Sequence, residues 1–100
     1  MAEPQLSALH LAQVRQILGR YLPNARVCVF GSRATGKARP FSDLDLLVQQ
    51  PTLLDWQTRA NLVDAFEASE LPFRVDVVES DRLAPGMRQR VLAEAIEIRL

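Results

Sequence analysis

The stretch from Gly31 to Asp45 constrains the fold of this chain more than any other part of it. It lies between two apolar segments, residues 27–30 and 46–48, each with the length and composition of a strand that is buried on both faces. A glycine-containing, basic loop that ends in two carboxylates is therefore placed at the end of a sheet, where ligands commonly bind. The sequence predicts an active site there.

The first half of this loop has the chemistry of an anion site. Gly31 can adopt backbone conformations closed to other residues and lets a ligand approach the main chain, while Ser32 supplies a hydroxyl and begins a run of N–H groups that can face a phosphate. Arg33, Lys37 and Arg39 place three positive charges within seven residues. We therefore expect the loop to bind a phosphate-bearing ligand.

Two carboxylates follow at the start of the next strand. Asp43 and Asp45 are one residue apart, so on a strand their side chains share a face with Cα atoms roughly 6.6 Å apart. Their mutual repulsion is relieved by a hard divalent cation, and Mg²⁺ uses one or two carboxylates together with substrate phosphate oxygens. Alternatively, the Gly-Ser pair is an ordinary turn and Asp-Leu-Asp the solvated face of a strand. The combined spacing favours the metal site.

A third carboxylate lies in the clearest alternating segment, residues 73–78. Phe73, Val75 and Val77 share one face of the predicted strand, and Asp76 lies on the opposite face. If this strand is central, Asp76 is buried, and its charge is costly unless a positive group such as a metal ion compensates for it. The alternative, which the sequence leaves open, is an edge strand with Asp76 in water.

The order Gly31-Ser32, ten residues, then Asp43-Leu44-Asp45 resembles the signature of the DNA polymerase beta-type nucleotidyltransferases. The short chain resembles their minimal branch over nearly its whole length. The resemblance implies an α+β fold with a small mixed β-sheet and flanking helices, a site for two Mg²⁺ ions with ATP as substrate, and a third acidic residue where Asp76 stands. Thr35 departs from the longer basic residue of many relatives.

The predicted site residues fall into two groups. The catalytic and metal-binding residues are Asp43, Asp45 and Asp76. The nucleotide-binding residues are Gly31, Ser32, Arg33 and Lys37.

The resemblance also implies a biological role. Proteins of the minimal branch act as antitoxins that transfer AMP from ATP to a tyrosine of a partner HEPN-domain toxin, with which a hetero-oligomer is expected. The alternative from another class is a non-catalytic binding module that neutralises a toxin by covering it. The intact Gly-Ser pair and all three carboxylates favour the enzyme.

Length and charge exclude several other classes. One hundred residues, 48% hydrophobic, form a single domain over residues 1–100. With 12 basic and 12 acidic residues there is no basic field for nucleic-acid binding. No apolar stretch approaches the roughly 20 residues of a membrane span, and residues 1–4 lack signal-peptide character, so a cytoplasmic protein is expected. Neither His10 nor Cys28 is given a functional role.

The remaining patterns predict the elements around the site. We expect a helix over 7–22 capped by Ser7, strands at 26–30, 44–49 and 73–78, a helix to about 70 introduced by a capping box at 52–55, and a last helix that follows Pro85-Gly86 and runs to about residue 95. These give a three-stranded mixed sheet, with the tail 96–100 a candidate for a final strand. Trp56 is expected in the core, with an exposed position in contact with a partner as the alternative. The last helix is expected to bury Met87, Val91, Leu92 and Ala95.

Overall fold

The computed structural model describes residues 3–100. Met1 and Ala2, which begin the N-terminal segment expected to carry no signal peptide, lie outside the described residues. The elements follow in the order α1 (Ala8–Tyr21), β1 (Arg26–Phe30), α2 (Ser32–Thr35), β2 (Leu44–Gln50), α3 (Trp56–Glu67), β3 (Val75–Glu79), a 3-10 turn (Ser80–Arg82), α4 (Pro85–Glu94) and β4 (Ile96–Ile98). Within residues 3–100, no helix has the length and apolar character needed to cross a membrane.

A single mixed sheet with the strand order β3-β2-β1-β4 organises the chain. β1 is antiparallel to both β2 and β4, whereas β2 and β3 are parallel because α3 carries the chain back between them. The predicted α+β architecture is confirmed. The sheet has four strands and not three, because the tail, a candidate strand in the sequence, pairs with the open edge of β1.

The two central strands are buried because elements cover both of their faces. Val14 and Leu18 of α1 and Leu62 and Phe66 of α3 join one face of the strands in the main core cluster, to which β2 contributes Leu44, Leu46 and Val48. Cys28 and Leu47 pair across the strands and, by the alternation of side chains, face the other way. Burial raises the pKa of the Cys28 thiol, which disfavours the reactive thiolate.

Two helix starts differ in how well local sequence predicted them. α1 begins as expected, with the Ser7 hydroxyl accepting a hydrogen bond from the His10 amide at 3.1 Å. The capping box predicted at 52–55 is wrong: the carboxylate of Asp55 accepts the Thr58 amide at 2.7 Å, and α3 begins only at Trp56. Thr52 instead donates to Asp81 at 3.0 Å, a contact with a residue distant in sequence.

The predicted burial of two apolar groups is also wrong. Trp56 is 77% exposed, because as the first residue of α3 it precedes the positions, Leu62 and Phe66, at which that helix is buried. In α4 only Val91 is buried, while Met87 and Leu92 are exposed. α4 therefore buries one side chain, that of Val91, and not a full apolar face.

A fully buried carboxylate fixes the end of β3. Glu79 accepts the Leu54 amide at 3.0 Å and forms an ion pair with Arg59 of α3 at 2.7 Å. The same guanidinium donates to the Val77 carbonyl at 3.0 Å. Because both carboxylate oxygens of Glu79 have hydrogen-bonded partners, its charge is tolerated in the interior. The two contacts connect β3 to the residues on either side of the α3 N terminus.

We predict that Glu79→Ala lowers the free energy of unfolding by about 3 kcal/mol, since it leaves Arg59 and the Leu54 amide without their buried partner. The matched control is Glu97→Ala, which breaks the solvent-exposed pair with Arg26 and costs less than about 1 kcal/mol. Urea denaturation of both variants measures the difference. Equal losses would show that the Glu79 pair contributes no more than a surface contact.

Candidate active site

The predicted turn after β1 is built around Gly31. Its φ of 74° and ψ of −153° belong to a region that only glycine occupies readily. A Cβ at this position would also overlap Oδ2 of Asp45. The Gly31 carbonyl accepts hydrogen bonds from the amides of Ala34 and Thr35, and these bonds begin the single helical turn α2. Glycine is therefore required here by the backbone and by the neighbouring carboxylate, independently of any ligand.

The sheet brings two of the predicted carboxylates side by side. Asp45 of β2 is in register with Asp76 of parallel β3, which places their Cα atoms on neighbouring strands about 4.8 Å apart. Asp43 lies two residues before Asp45, in the loop just ahead of β2. Burial, then the charge of Asp76, then that of Asp43 raise the pKa of Asp45. Asp45 therefore lies close enough to both other carboxylates to be affected by their charges.

β3 is an edge strand, which is the alternative that the sequence left open for Asp76. Asp76 is nevertheless only partly in water: its side chain is 34% exposed and pairs with Arg74 at 3.0 Å. This arginine supplies the positive charge that compensates the carboxylate, a role that the sequence suggested for a metal ion. As the side chains stand, residues 3–100 contain no group of three or more His, Cys, Asp or Glu close enough together to hold a metal ion.

The chemistry of the donor set still fits a divalent cation. Asp45 is half-buried beside two other carboxylates, a concentration of negative oxygen ligands that a hard cation stabilises. An open groove of about 680 Å³ is lined by Asp45, Arg74 and Asp76 and continues along the free edge of β3. Space for a ligand therefore adjoins the paired carboxylates.

The structure contradicts the predicted contact of Arg33 with nucleotide. Its side chain is buried, 5% exposed, and its guanidinium donates to the carbonyl oxygens of Gln5, Pro40 and Ser42 at 2.8–3.0 Å. Burial lowers the pKa of Arg33. Its donors serve the protein's own backbone, because the loop of residues 36–42 folds around them. Lys37, by contrast, is exposed and available to a ligand.

Two further residues of the site gave no recognisable signal in the sequence. Arg74 pairs with Asp76, and Glu94, at the end of α4, accepts the Gly31 amide at 3.2 Å. Glu94 reaches Gly31 because β4 pairs with β1 and returns the preceding helix end to the turn. Only the antiparallel register of β1 and β4 reveals this contact.

Comparison with known proteins identifies the class to which this fold and site belong. The family model described as "Nucleotidyltransferase domain" matches residues 11–98. The "Probable protein adenylyltransferase MntA" of Haemophilus influenzae (strain ATCC 51907 / DSM 11121 / KW20 / Rd) is 41% identical over 78 residues, which cover 78% of this chain and 68% of that protein. The chain belongs to the nucleotidyltransferase domain family, and it is a nucleotidyltransferase.

Solved structures agree with this assignment. One described as a minimal nucleotidyltransferase is 41% identical, with a TM-score of 0.70 and 90% of both chains covered. A toxin-antitoxin structure with AMP-PNP is 25% identical at a TM-score of 0.70, covering 87% of this chain and 70% of that one. The recognition of a minimal nucleotidyltransferase from the Gly31-Ser32 and Asp43-Leu44-Asp45 pattern is confirmed.

The raised pKa of Asp45 predicts a pH-dependent stability. The folded state holds the proton more tightly than the unfolded state, so the wild type loses stability as pH rises from the ordinary value of 3.8 through the folded pKa. In the presence of a chelator, Asp45→Asn should therefore be more stable than the wild type at neutral pH. The gain should be no more than about 1 kcal/mol, because the group is half exposed.

Denaturation of both proteins at about pH 7.5 and about pH 3 measures this effect. The advantage of the asparagine variant should vanish at the lower pH, where Asp45 is protonated in both states. A gain that is the same at both pH values would show that the carboxylate charge is not its source.

The two glycines with positive φ provide a matched pair for Gly31. Gly36 has a φ of 78° and open space where a Cβ would lie, so Gly36→Ala should lower the free energy of unfolding by only about 1 kcal/mol. Gly31→Ala adds the overlap with Asp45 and should cost at least about 2 kcal/mol. Asp45→Ala in the Gly31→Ala background should recover part of the loss in thermal and urea melts. Equal costs at the two glycines would contradict the close approach.

Proposed function

We propose that this chain transfers AMP from ATP to a hydroxyl group in a Mg²⁺-dependent reaction. The observation that carries the proposal is the register of Asp45 with Asp76, which sets two carboxylates side by side next to the Gly31 turn and an open groove. Paired carboxylates beside an anion-binding turn are the arrangement that nucleotide chemistry needs, because metal and phosphate must be held together.

Asp43, Asp45 and Asp76 would hold two Mg²⁺ ions. The fit rests on Asp45, whose pKa is raised by burial and then by the charges of Asp76 and Asp43. When bound, the ions would neutralise the triphosphate and make the acceptor hydroxyl easier to deprotonate. For Asp76 to take part, its pair with Arg74 must open, which is undemanding for an arginine whose side chain is 76% exposed.

The turn after β1 would receive the triphosphate. Gly31 and the Ser32 hydroxyl would contact the terminal phosphates, and exposed Lys37 would offset the charge of the departing pyrophosphate. The amide of Gly31 at present donates to Glu94. Arg33 has no part in these contacts, since its guanidinium holds backbone carbonyls.

The reaction is a displacement at the α-phosphorus of ATP. A bond forms between the acceptor oxygen and that phosphorus, while the bond from the phosphorus to the oxygen bridging the α- and β-phosphates breaks, and pyrophosphate leaves with the bonding electrons. The hydroxyl proton passes to solvent or to the carboxylate of Asp76, which borders the groove.

We infer that the acceptor is a tyrosine of a partner HEPN-type toxin, so that the chain acts as an antitoxin. Support comes from the relative named as a protein adenylyltransferase, from toxin-antitoxin structures at 25% identity, and from the AMP-PNP in one of them. The open groove does not enclose an acceptor, so the hydroxyl is presented from outside by a bound protein.

A second candidate function is neutralisation of the partner by occlusion alone. It is favoured by the exposure of Trp56 at 77% and of Leu53 at 49%, two apolar side chains at and just before the start of α3. Both functions use a stable complex. They differ in whether the carboxylates are needed.

ATP labelled at the α-phosphate tests the choice. Incubated with Mg²⁺, this protein and its neighbouring gene product, it should place label on the partner, whereas γ-labelled ATP should not. Asp45→Asn and Asp76→Asn should each reduce the transfer at least about 100-fold, with circular dichroism melts showing that the fold is kept. Asp64→Asn, an exposed aspartate of α3, is the control and should retain full transfer.

The occlusion alternative predicts a different set of results. Toxin suppression would then be equal for the wild type and for the Asp43→Asn, Asp45→Asn double variant, with no label transferred by either. Full transfer by Asp76→Asn would remove that residue from the proposed site.

A further inference from the structure

The buried guanidinium of Arg33 is a junction between three parts of the chain. Its Nε and Nη2 donate to the Ser42 carbonyl at 3.0 and 2.8 Å, Nη2 also reaches the Pro40 carbonyl at 3.0 Å, and Nη1 donates to the Gln5 carbonyl at 2.8 Å. Its carbon Cζ lies 4.2 Å from the centre of the Phe73 ring, just ahead of β3. One side chain thus joins the N-terminal segment, the loop before β2 and the approach to β3.

Gln5 contacts the same loop through its side chain. Its Nε2 donates to the Ala38 carbonyl at 2.9 Å and its Oε1 accepts the Ala38 amide at 3.0 Å. This is the reciprocal pair of bonds that two strand residues exchange, made here by an amide side chain. The Gln5 backbone completes the connection, because its amide donates to the Arg33 carbonyl at 2.6 Å.

We call the side chains of Arg33 and Gln5, with these hydrogen bonds, the loop clamp. It acts on residues 36–42, which have no helix or strand of their own. Ala38, which Gln5 holds, lies between the exposed side chains of Lys37 and Arg39. Ser42, which Arg33 holds, immediately precedes Asp43. The clamp therefore fixes the backbone on which two cations and the first carboxylate are mounted.

Without the clamp, little else would order this segment. Its other backbone hydrogen bonds are local: Lys37 donates to the Ser32 carbonyl at 3.0 Å, Ser42 to the Arg39 carbonyl at 3.0 Å, and Arg39 to the Ser42 hydroxyl at 2.8 Å. Each backbone residue released into many conformations gains conformational entropy, which favours the disordered loop. If the loop is ordered only part of the time, its apparent Kd for a ligand equals the Kd of the ordered loop divided by the ordered fraction.

We propose that Arg33 and Gln5 are positioning residues that preorganise the nucleotide-binding loop without touching the nucleotide. The inference rests on the proposed function for its ligand, whereas the ordering of the loop can be measured on the protein alone. Arg33 would then order the loop and not contact phosphate. Gln5, which lies 26 positions before Gly31 in the N-terminal segment, would share this role.

The principal test compares Gln5→Ala with Gln57→Ala, which removes an exposed glutamine hydrogen bond to Asn61 on α3. In Gln5→Ala, hydrogen exchange of the Lys37 and Ser42 amides should accelerate about tenfold, although neither amide bonds to Gln5, while exchange in β1 and β2 stays unchanged. Calorimetry should show that the Kd for Mg-ATP rises about five- to tenfold. This is the rise expected when the fraction of molecules with an ordered loop falls about five- to tenfold.

The rate of transfer at saturating ATP should stay within about twofold of the wild type in Gln5→Ala, because bound nucleotide reorders the loop. Gln57→Ala should change neither exchange, Kd nor rate. A pure loss of global stability would accelerate exchange in β1 and β2 as well, so this pattern distinguishes positioning from a general structural role.

Arg33→Lys and Arg33→Met separate the guanidinium geometry from the charge. Lysine keeps the charge but lacks the planar fork that spans several carbonyls, so both variants should show faster loop exchange and weaker Mg-ATP binding than the wild type. Full rescue by lysine would overturn the role of the fork. If these arginine variants fail to fold, the glutamine variants still decide the proposal.

The proposal and the function on which it rests fail in different ways. Unchanged Lys37 and Ser42 exchange in Gln5→Ala, or faster exchange with unchanged affinity for Mg-ATP, overturns the clamp. A wild type that neither binds Mg-ATP nor transfers label overturns the proposed function and with it the ligand of the loop.

Discussion

The parallel pairing of β2 with β3 is the constraint on which the site depends. It sets Asp45 beside Asp76, although 31 positions separate them in sequence. The antiparallel neighbour β1 then brings its C-terminal turn to the same end of the sheet, because Phe30 pairs with Asp45 and Gly31 follows directly. A change of one residue in either register would turn the carboxylate to the opposite face, so the chemistry requires this topology.

The same strand carries two acidic residues with opposite roles. Asp76 faces the open groove, while Glu79, on the other face, is fully buried and paired with Arg59. Arg59 also covers the Val77 carbonyl. A free strand edge is prone to unwanted pairing, and a charged side chain laid across its backbone reduces that tendency. The edge position of β3 thus leaves Asp76 accessible while Glu79 keeps the strand in place.

Two of the groups proposed to contact metal and nucleotide have partners within the protein. Arg74 holds Asp76, and Glu94 accepts the amide of Gly31. Both partners are exposed side chains, so exchanging them for a metal ion or a phosphate costs little. Arg33 differs, because its buried guanidinium is bound to several carbonyls and stays where it is. Exposure separates the replaceable contacts from the permanent ones.

The sequence by itself determined two features that depend on neighbours along the chain, the buried strands and the glycine turn, which follow from periodicity and spacing. It predicted Asp43 and Asp45 on one face of a strand, whereas β2 begins at Leu44 and Asp43 lies in the loop before it. It also placed Asp76 on the correct face of its strand, by alternation alone. Tertiary structure decided which partners the longer side chains contact and whether they are buried. Arg33 looked like a phosphate ligand and binds carbonyls of residues 5, 40 and 42, and Trp56 looked like a core residue and lies exposed. The physical reason is that local pattern fixes the direction of a side chain, whereas its partners come from segments whose position only the sheet order and register define.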